Sequence, residues 1–283
     1  MSTIQEFVQW INNGTHNAAM SEEVAQEYAQ AEAESLLRQF DPNKDESSPT
    51  LRVSGLGKPA VLQALKLLGY DEKGYISNRM RHIFKVGDTF ESYLIALTKV
   101  FGAEANLQQA EVDFHGVKGH IDYVFNNECI VEVKTASPNY FSKFTKEPND
   151  DRGYVTQAAI YSYCLNLPIY WVMLNKATHD VALITPDTSV LSSALSRAER
   201  IIPRLNSISS AQSILEQFRV PPAVEETYRR KKTGRYVVPE SMKWSSFAPL
   251  FYDLYEEDGK NYVTGYHDNV TFLEKLKEYE QCA

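Results

Sequence analysis

The chain has 283 residues, 43% hydrophobic and 23% charged, with 29 basic against 37 acidic side chains and a net charge of −8. This length buries a sizeable core as one large domain or two small ones, and the acidic balance excludes a uniformly basic nucleic-acid binder. The three cysteines, at 129, 164 and 282, form no CxxC pair, and no charged start leads into a long apolar run; a reducing cytoplasmic setting with no membrane span is expected.

In chain order, the first forty residues read as helix, with Ser21 as an N-cap, Glu22 and Glu23 at the positive end of the dipole and an Ala-rich run to Phe40. Residues 41–49, with two prolines and two serines, read as a linker. Helices are expected over 59–68, from Val61, Leu62, Leu65 and Leu68, and over about 88–101, from Phe90, Leu94, Leu97 and Phe101. Three strands follow at 108–114, 119–125 and 129–135, with an Asn126-Asn127 turn joining the last two as a hairpin. A polar loop over 137–153 leads to a helix at 154–165, a strand pair at 169–174 and 181–184, and a helix at 190–206. Beyond Pro221-Pro222 a basic helix or loop is expected, then a terminal helix over 271–280. The pattern predicts an α/β fold in three segments: a helical arm over 1–48, a core over 49–220 and a mostly helical end over 221–283.

The chemistry gathers in two of these strands. In Ile130-Val-Glu-Val-Lys-Thr135, Glu132 and Lys134 share one strand face by period two, and Val131 and Val133 point the other way. Asp122, in Gly119-His-Ile-Asp-Tyr-Val-Phe125, can project to the same side from the neighbouring strand. A Glu-x-Lys strand by itself is usually a solvated face. Here an acid ten residues earlier, across a short turn, adds a mechanism. Two carboxylates with the Val133 carbonyl between them offer hard oxygen ligands for Mg²⁺ or Mn²⁺, and a lysine can orient or help deprotonate a water.

Asp-x(n)-Glu-x-Lys resembles the signature of the PD-(D/E)xK nucleases, and its surroundings resemble their RecB-type branch, which includes phage and mitochondrial exonucleases. Gly119-x-Ile121-Asp122, Glu132-Val133-Lys134-Thr135 and Gln157-x-x-x-Tyr161 match that branch's elements in order. Gly87-Asp-Thr-Phe-Glu91 resembles its upstream helix, which would bring Glu91 to the metal. Ser54-Gly-Leu-Gly-Lys58 resembles an N-terminal segment of phage members that lies near nucleic acid; Pro59 rules out a phosphate-binding P-loop there. The resemblance covers roughly residues 51–184.

The resemblance implies a restriction-endonuclease-like core, a mixed central β-sheet flanked by helices, with helical additions at both ends. Catalytic roles would fall to Glu91, Asp122, Glu132 and Lys134, and metal ligation to Glu91, Asp122, Glu132 and Val133. Ser54, Lys58, Arg79, Thr135, Ser137, Gln157, Tyr161 and Lys176 would contact nucleic acid. It implies a Mg²⁺-dependent deoxyribonuclease, Mn²⁺ substituting, that works at DNA ends in phage recombination or DNA degradation, inside the host cytoplasm if phage-encoded. A single-strand-binding or annealing protein is the partner such a role suggests; oligomeric state stays open. Structure-selective or sequence-specific endonucleases of the superfamily, or a non-catalytic DNA-binding relative, are the alternatives. Several relatives hold an iron–sulfur cluster; Pro59 and Trp244-Ser-Ser-Phe247 stand where its cysteines would be, so none is expected. An acidic nuclease needs a local basic track. The candidates are Arg79, Arg81, His82 and Lys85; Lys143 and Lys146; and Arg229, Arg230, Lys231, Lys232 and Arg235.

Overall fold

The computed structural model describes residues 3–14, 19–40, 50–70, 78–229, 231–243 and 245–281, with the side chains of 78–80 left aside. The expected linker over 41–49, the side chain of Arg79, and Arg230, Trp244 and Cys282 therefore lie outside the described residues. The chain divides into two compact units that cut across the segments expected from sequence. One comprises Met1–Glu46, Ile76–Asn149 and Val155–Leu195; the other comprises Ser47–Tyr75, Asp150–Tyr154 and Ser196–Ala283.

The described elements begin with α1 (Ile4–Asn13), α2 (Glu22–Gln39), α3 (Val53–Leu56), α4 (Ala60–Leu67) and α5 (Asn78–Val100). Strands β1 (Ala105–Asn106), β2 (Glu111–Phe114), β3 (Val117–His120), β4 (Tyr123–Phe125) and β5 (Cys129–Ala136) follow. Next come α6 (Pro138–Lys146), α7 (Tyr154–Leu165), β6 (Ile169–Asn175), β7 (Val181–Ile184) and α8 (Thr188–Asn206). The chain ends with a 3-10 turn at Ala211–Ser213, α9 (Ile214–Gln217), β8 (Val224–Tyr228), β9 (Lys231–Val237), α10 (Glu240–Lys243), α11 (Ala248–Phe251), β10 (Tyr252–Glu257), β11 (Lys260–Tyr266) and α12 (Asn269–Gln281). None of the described helices is long and apolar enough to cross a membrane.

The first unit is built on a mixed five-stranded sheet in the order β1-β4-β5-β6-β7, with helices packed against it, as expected. Only β5 and β6 run parallel, joined by the α6–α7 crossover; the other pairs are antiparallel. Val131 and Val133 lie in one buried cluster with Phe7 of α1, Phe90 and Leu94 of α5, and Val172 of β6. On the opposite face of β5 and β6, Trp171 meets the ring of Phe144 from α6 edge-on at 5.1 Å. The central strand is thus covered on both sides, as parallel strands are.

Three elements differ from the sequence reading. Among the described residues of the first forty, α2 starts after Ser21, which caps it as expected, while α1 is a separate helix that opens with a capping box between Thr3 and Glu6. The loop expected over 137–153 contains α6, with Pro138 at its first turn and Tyr140 and Phe144 buried one turn apart. The strand expected over 119–125 is broken at Ile121–Asp122: β3 pairs only with β2, and β4 belongs to the main sheet.

In the second unit, the mostly helical end expected over 221–283 instead carries two antiparallel hairpins, β8–β9 and β10–β11. Asp258-Gly259 turns the second with both residues at positive φ, 53° and 72°, as a two-residue hairpin requires. Phe251 of α11 stacks on Phe272 of α12 at 5.2 Å. Gly57 and Gly153 let two backbones touch: a Cβ on Gly57 would lie 2.5 Å from Gly153 Cα and 2.8 Å from Asp150 Oδ1. Gly57→Ala is therefore expected to destabilise this unit by about 1–3 kcal/mol through overpacking. Urea unfolding with an unchanged midpoint would refute that.

Candidate active site

The site grows from the place where β4 leaves the ladder. Tyr123 pairs with Val131, so the same register continued by one residue would set Asp122 across from Glu132. Asp122 is instead off the strand, and its Oδ2 accepts the Val133 N–H at 2.6 Å. The side chain supplies the acceptor that the next backbone carbonyl of an unbroken strand would have given.

Glu132 is wholly buried on β5. Its Oε2 accepts from Lys134 Nζ at 2.8 Å, two residues along the same face. Its Oε1 is also buried and has no hydrogen-bond partner among the described residues. Glu91, on α5, accepts a short hydrogen bond from Gln109 Nε2. Gln109 also donates its backbone N–H to the Asp122 carbonyl at 3.0 Å, so one residue ties two of the acids together. Nothing in the sequence pointed to Gln109; it sits in an irregular connection with φ at 53°, eighteen residues from Glu91.

The electrostatics bind the group into one system. Burial, then the neighbouring Asp122, pushes the Glu132 carboxyl up to about 7, against the pull of Lys134. Burial, then Asp122, pushes Glu91 up to about 8, with Gln109 opposing. Asp122 is also raised, by burial, although Lys134 and the Val133 N–H favour its charged form. Three acids sharing a poorly solvated site with one lysine resist full ionisation.

On α7, Gln157 Nε2 donates to the Tyr161 hydroxyl at 3.2 Å, and both side chains are buried. Burial and then the Glu132 charge raise the Tyr161 hydroxyl, which places this pair in the field of the acids. Thr135 is half-buried, and Ser137 is exposed at the N-cap of α6. Lys176 follows the end of β6 and donates its backbone N–H to Ala136 at 2.9 Å, beside the end of β5. Ser54 and Lys58 are exposed and belong to the second unit.

A cleft of about 540 Å³ opens between α2 and α5, with Tyr28, Arg38, Asp88, Glu91 and Gln109 among its lining residues. Polar bonds hold α2 there. Glu32 takes Lys85 at 2.8 Å and Thr89 at 3.0 Å, while Asp88 accepts from Ser35 at 2.7 Å and Gln39 at 2.9 Å. The expected basic cluster on α5 is thus partly spent internally: Lys85 is paired, and Arg81 bonds the Gln39 carbonyl and lies 5.1 Å from the Phe40 ring.

The donor set suits a hard divalent cation: carboxylates, a neighbouring backbone carbonyl, and in Glu132 Oε1 a buried oxygen that lacks a partner. It is not a closed cage. No three His, Cys, Asp or Glu side chains among the described residues converge as a preset metal site, because each acid is turned to a donor of its own.

No protein-family model matches the chain, and no curated protein matches it. Among solved structures it is similar to an alkaline exonuclease from Laribacter hongkongensis, with TM-score 0.39 and 10% identity over 56% of this chain and 89% of that one. The structure of that exonuclease with dAMP gives TM-score 0.36 and 11% identity over the same shares. An exonuclease candidate from Eubacterium rectale gives TM-score 0.37 and 17% identity, over 67% of this chain and 86% of that one.

Proposed function

We propose that the chain is a metal-dependent DNA exonuclease of the PD-(D/E)xK type. The observation that carries this reading is the grouping of Glu91, Asp122 and Lys134 about Glu132 of β5, with all three carboxyls raised and a buried, unpartnered Glu132 oxygen. A buried carboxylate oxygen without a donor carries an uncompensated desolvation cost, as Glu32 Oε1 also does; what sets Glu132 apart is that two further acids and a lysine share its surroundings. Sites that bind and activate a phosphate accept that cost.

Glu91, Asp122, Glu132 and the Val133 carbonyl would hold Mg²⁺, which supplies Lewis-acid charge to a phosphodiester and a lowered pKa to a coordinated water. The protein's own contribution starts with Lys134. Its Nζ, anchored on Glu132 Oε2, stands where it can orient an attacking water and offset charge building on the phosphoryl oxygens. Asp122, locked onto the Val133 N–H, fixes the direction of one carboxylate oxygen and leaves the other for binding. Gln109 steers Glu91 in the same way. Gln157 and Tyr161 form a stiff buried pair that can hold the strand segments or the DNA in register.

The RecB-type resemblance favours ends over internal positions. With Mg²⁺, end-labelled linear DNA is expected to be degraded while covalently closed circles survive. Cleavage of the circles would assign an endonuclease, and intact linear DNA in every condition would overturn the reading.

A further inference from the structure

We propose that the tip of the β8–β9 hairpin is a nucleic-acid-binding element, gripping the sugar-phosphate backbone through Arg229 and Lys231 with Tyr228 as a stacking face. One sign is the turn itself. Tyr228 pairs with Lys231 across a two-residue connection, which Arg229 opens. Such turns demand positive φ and favour Asn, Asp and Gly. Among the described residues, Asp258-Gly259 between β10 and β11 fits this at both positions, and His115-Gly116 between β2 and β3 fits it at the glycine. At the β8–β9 tip an arginine takes φ of 49° instead. The chemistry of the turn does not itself call for an arginine at this position.

The second sign is how the cations of this hairpin divide. Towards its base they serve the fold: Lys232 pairs with Glu225 at 2.9 Å, and Arg235 pairs with Glu257 at 2.8 Å and lies 4.6 Å from the Tyr262 ring. Glu226 also takes Lys260 at 3.0 Å. At the tip no acid answers. Arg229 and Lys231 are exposed and make no ion pair among the described residues. The Arg229 guanidinium lies 5.3 Å from the ring of Tyr228, which is itself 60% exposed. An exposed aromatic ring beside cations that no acid neutralises is a combination that can track a nucleic-acid strand, stacking a base and neutralising phosphates.

The identity of the polyanion rests on the nuclease reading; the experiment separates the two. Binding of short fluorescent single-stranded and duplex DNA is measured in EDTA across a salt series, so that no cleavage enters. Arg229→Asn with Lys231→Gln should weaken binding about tenfold at about 50 mM salt and flatten the log–log salt slope by about 2, one per lost phosphate contact. Because Asn suits the turn, the melting temperature should hold or rise. A charge-preserving exchange, Arg229→Lys with Lys231→Arg, should keep the slope. Unchanged affinity and slope in the first variant would overturn the proposal, as would equal weakening in the exchange. Unchanged DNA binding with lost binding to polyglutamate would assign the tip to an acidic protein and also overturn it. If the wild type binds DNA through the tip but never cleaves it with Mg²⁺, the nuclease reading fails and the hairpin proposal stands.

Discussion

Lys134→Ala is expected to lower the rate of DNA cleavage by about 10²- to 10⁴-fold, the range for loss of a positioned proton-transfer group. The wild-type ammonium is only 14% exposed and sits 2.8 Å from a fully buried carboxylate. Removing it takes away a positive side chain that acts on both Glu132 and Asp122. The protein should still fold. Glu132 already titrates up to about 7, so it can take up a proton instead of standing as a bare buried charge. DNA binding in EDTA should change little. Single-turnover rates on end-labelled DNA, with circular dichroism as a folding control, test this; wild-type cleavage by the variant would remove Lys134 from the mechanism.

The second large effect concerns metal. Stripping divalent ions should abolish cleavage, and restoring Mg²⁺ to about a hundred times its Kd should stabilise the fold by about 2.7 kcal/mol. Glu132→Gln is expected to lose both the activity and most of that thermal shift, because amide oxygen is a poorer ligand for a hard cation. Glu91→Gln should show the opposite side of the same coin: a higher melting temperature without metal, since one of three crowded acids has been removed. The pH dependence carries a definite sign. Both carboxyls are raised in the folded state above their unfolded values of about 4.3, so the native protein binds more protons than the unfolded chain. Metal-free stability should therefore fall as pH rises from about 4.3 through about 8, and fall less in Glu91→Gln. Calorimetry in EDTA at pH 6 and pH 9 decides it; a flat profile would mean the acids are not crowded as described.

Much of the site was legible because local periodicity wrote it. Glu132 and Lys134 share a face by the strand period, and α7 begins and ends at the expected residues, with Gln157 and Tyr161 one turn apart. The mixed sheet was implied by the motif resemblance, while the residue pattern itself gave only the strands and helices in their order. What stayed hidden depended on tertiary partners. Nothing local says that a glutamate on the central strand is buried, since that comes from the cover on the second face of the sheet. Gln109 matters only because the chain folds back to Glu91. The break at Ile121–Asp122 was invisible for a similar reason: an uninterrupted alternating run is indistinguishable from two short strands feeding different sheets. Helix α6 did carry a signal, the Ser137-Pro138 start with Tyr140 and Phe144 at helical spacing, outweighed by its polar residues. The β8–β9 hairpin lacked the Asn-Gly type of turn that would have announced it.

The bond between Asp122 and the Val133 N–H has a consequence for how this position tolerates change. One oxygen accepts the Val133 N–H, and in the proposed mechanism the other serves the metal, so one side chain would carry both architecture and activity. A saturation library scored separately for abundance and for cleavage should split there. Asparagine keeps a carbonyl oxygen for the Val133 N–H and should pass the first screen while failing the second. Alanine orphans that N–H and should fail both. An amino acid read only as catalytic would then prove to be a rivet in the sheet as well: selection on abundance would hold an acceptor there, and selection on cleavage would hold the acid.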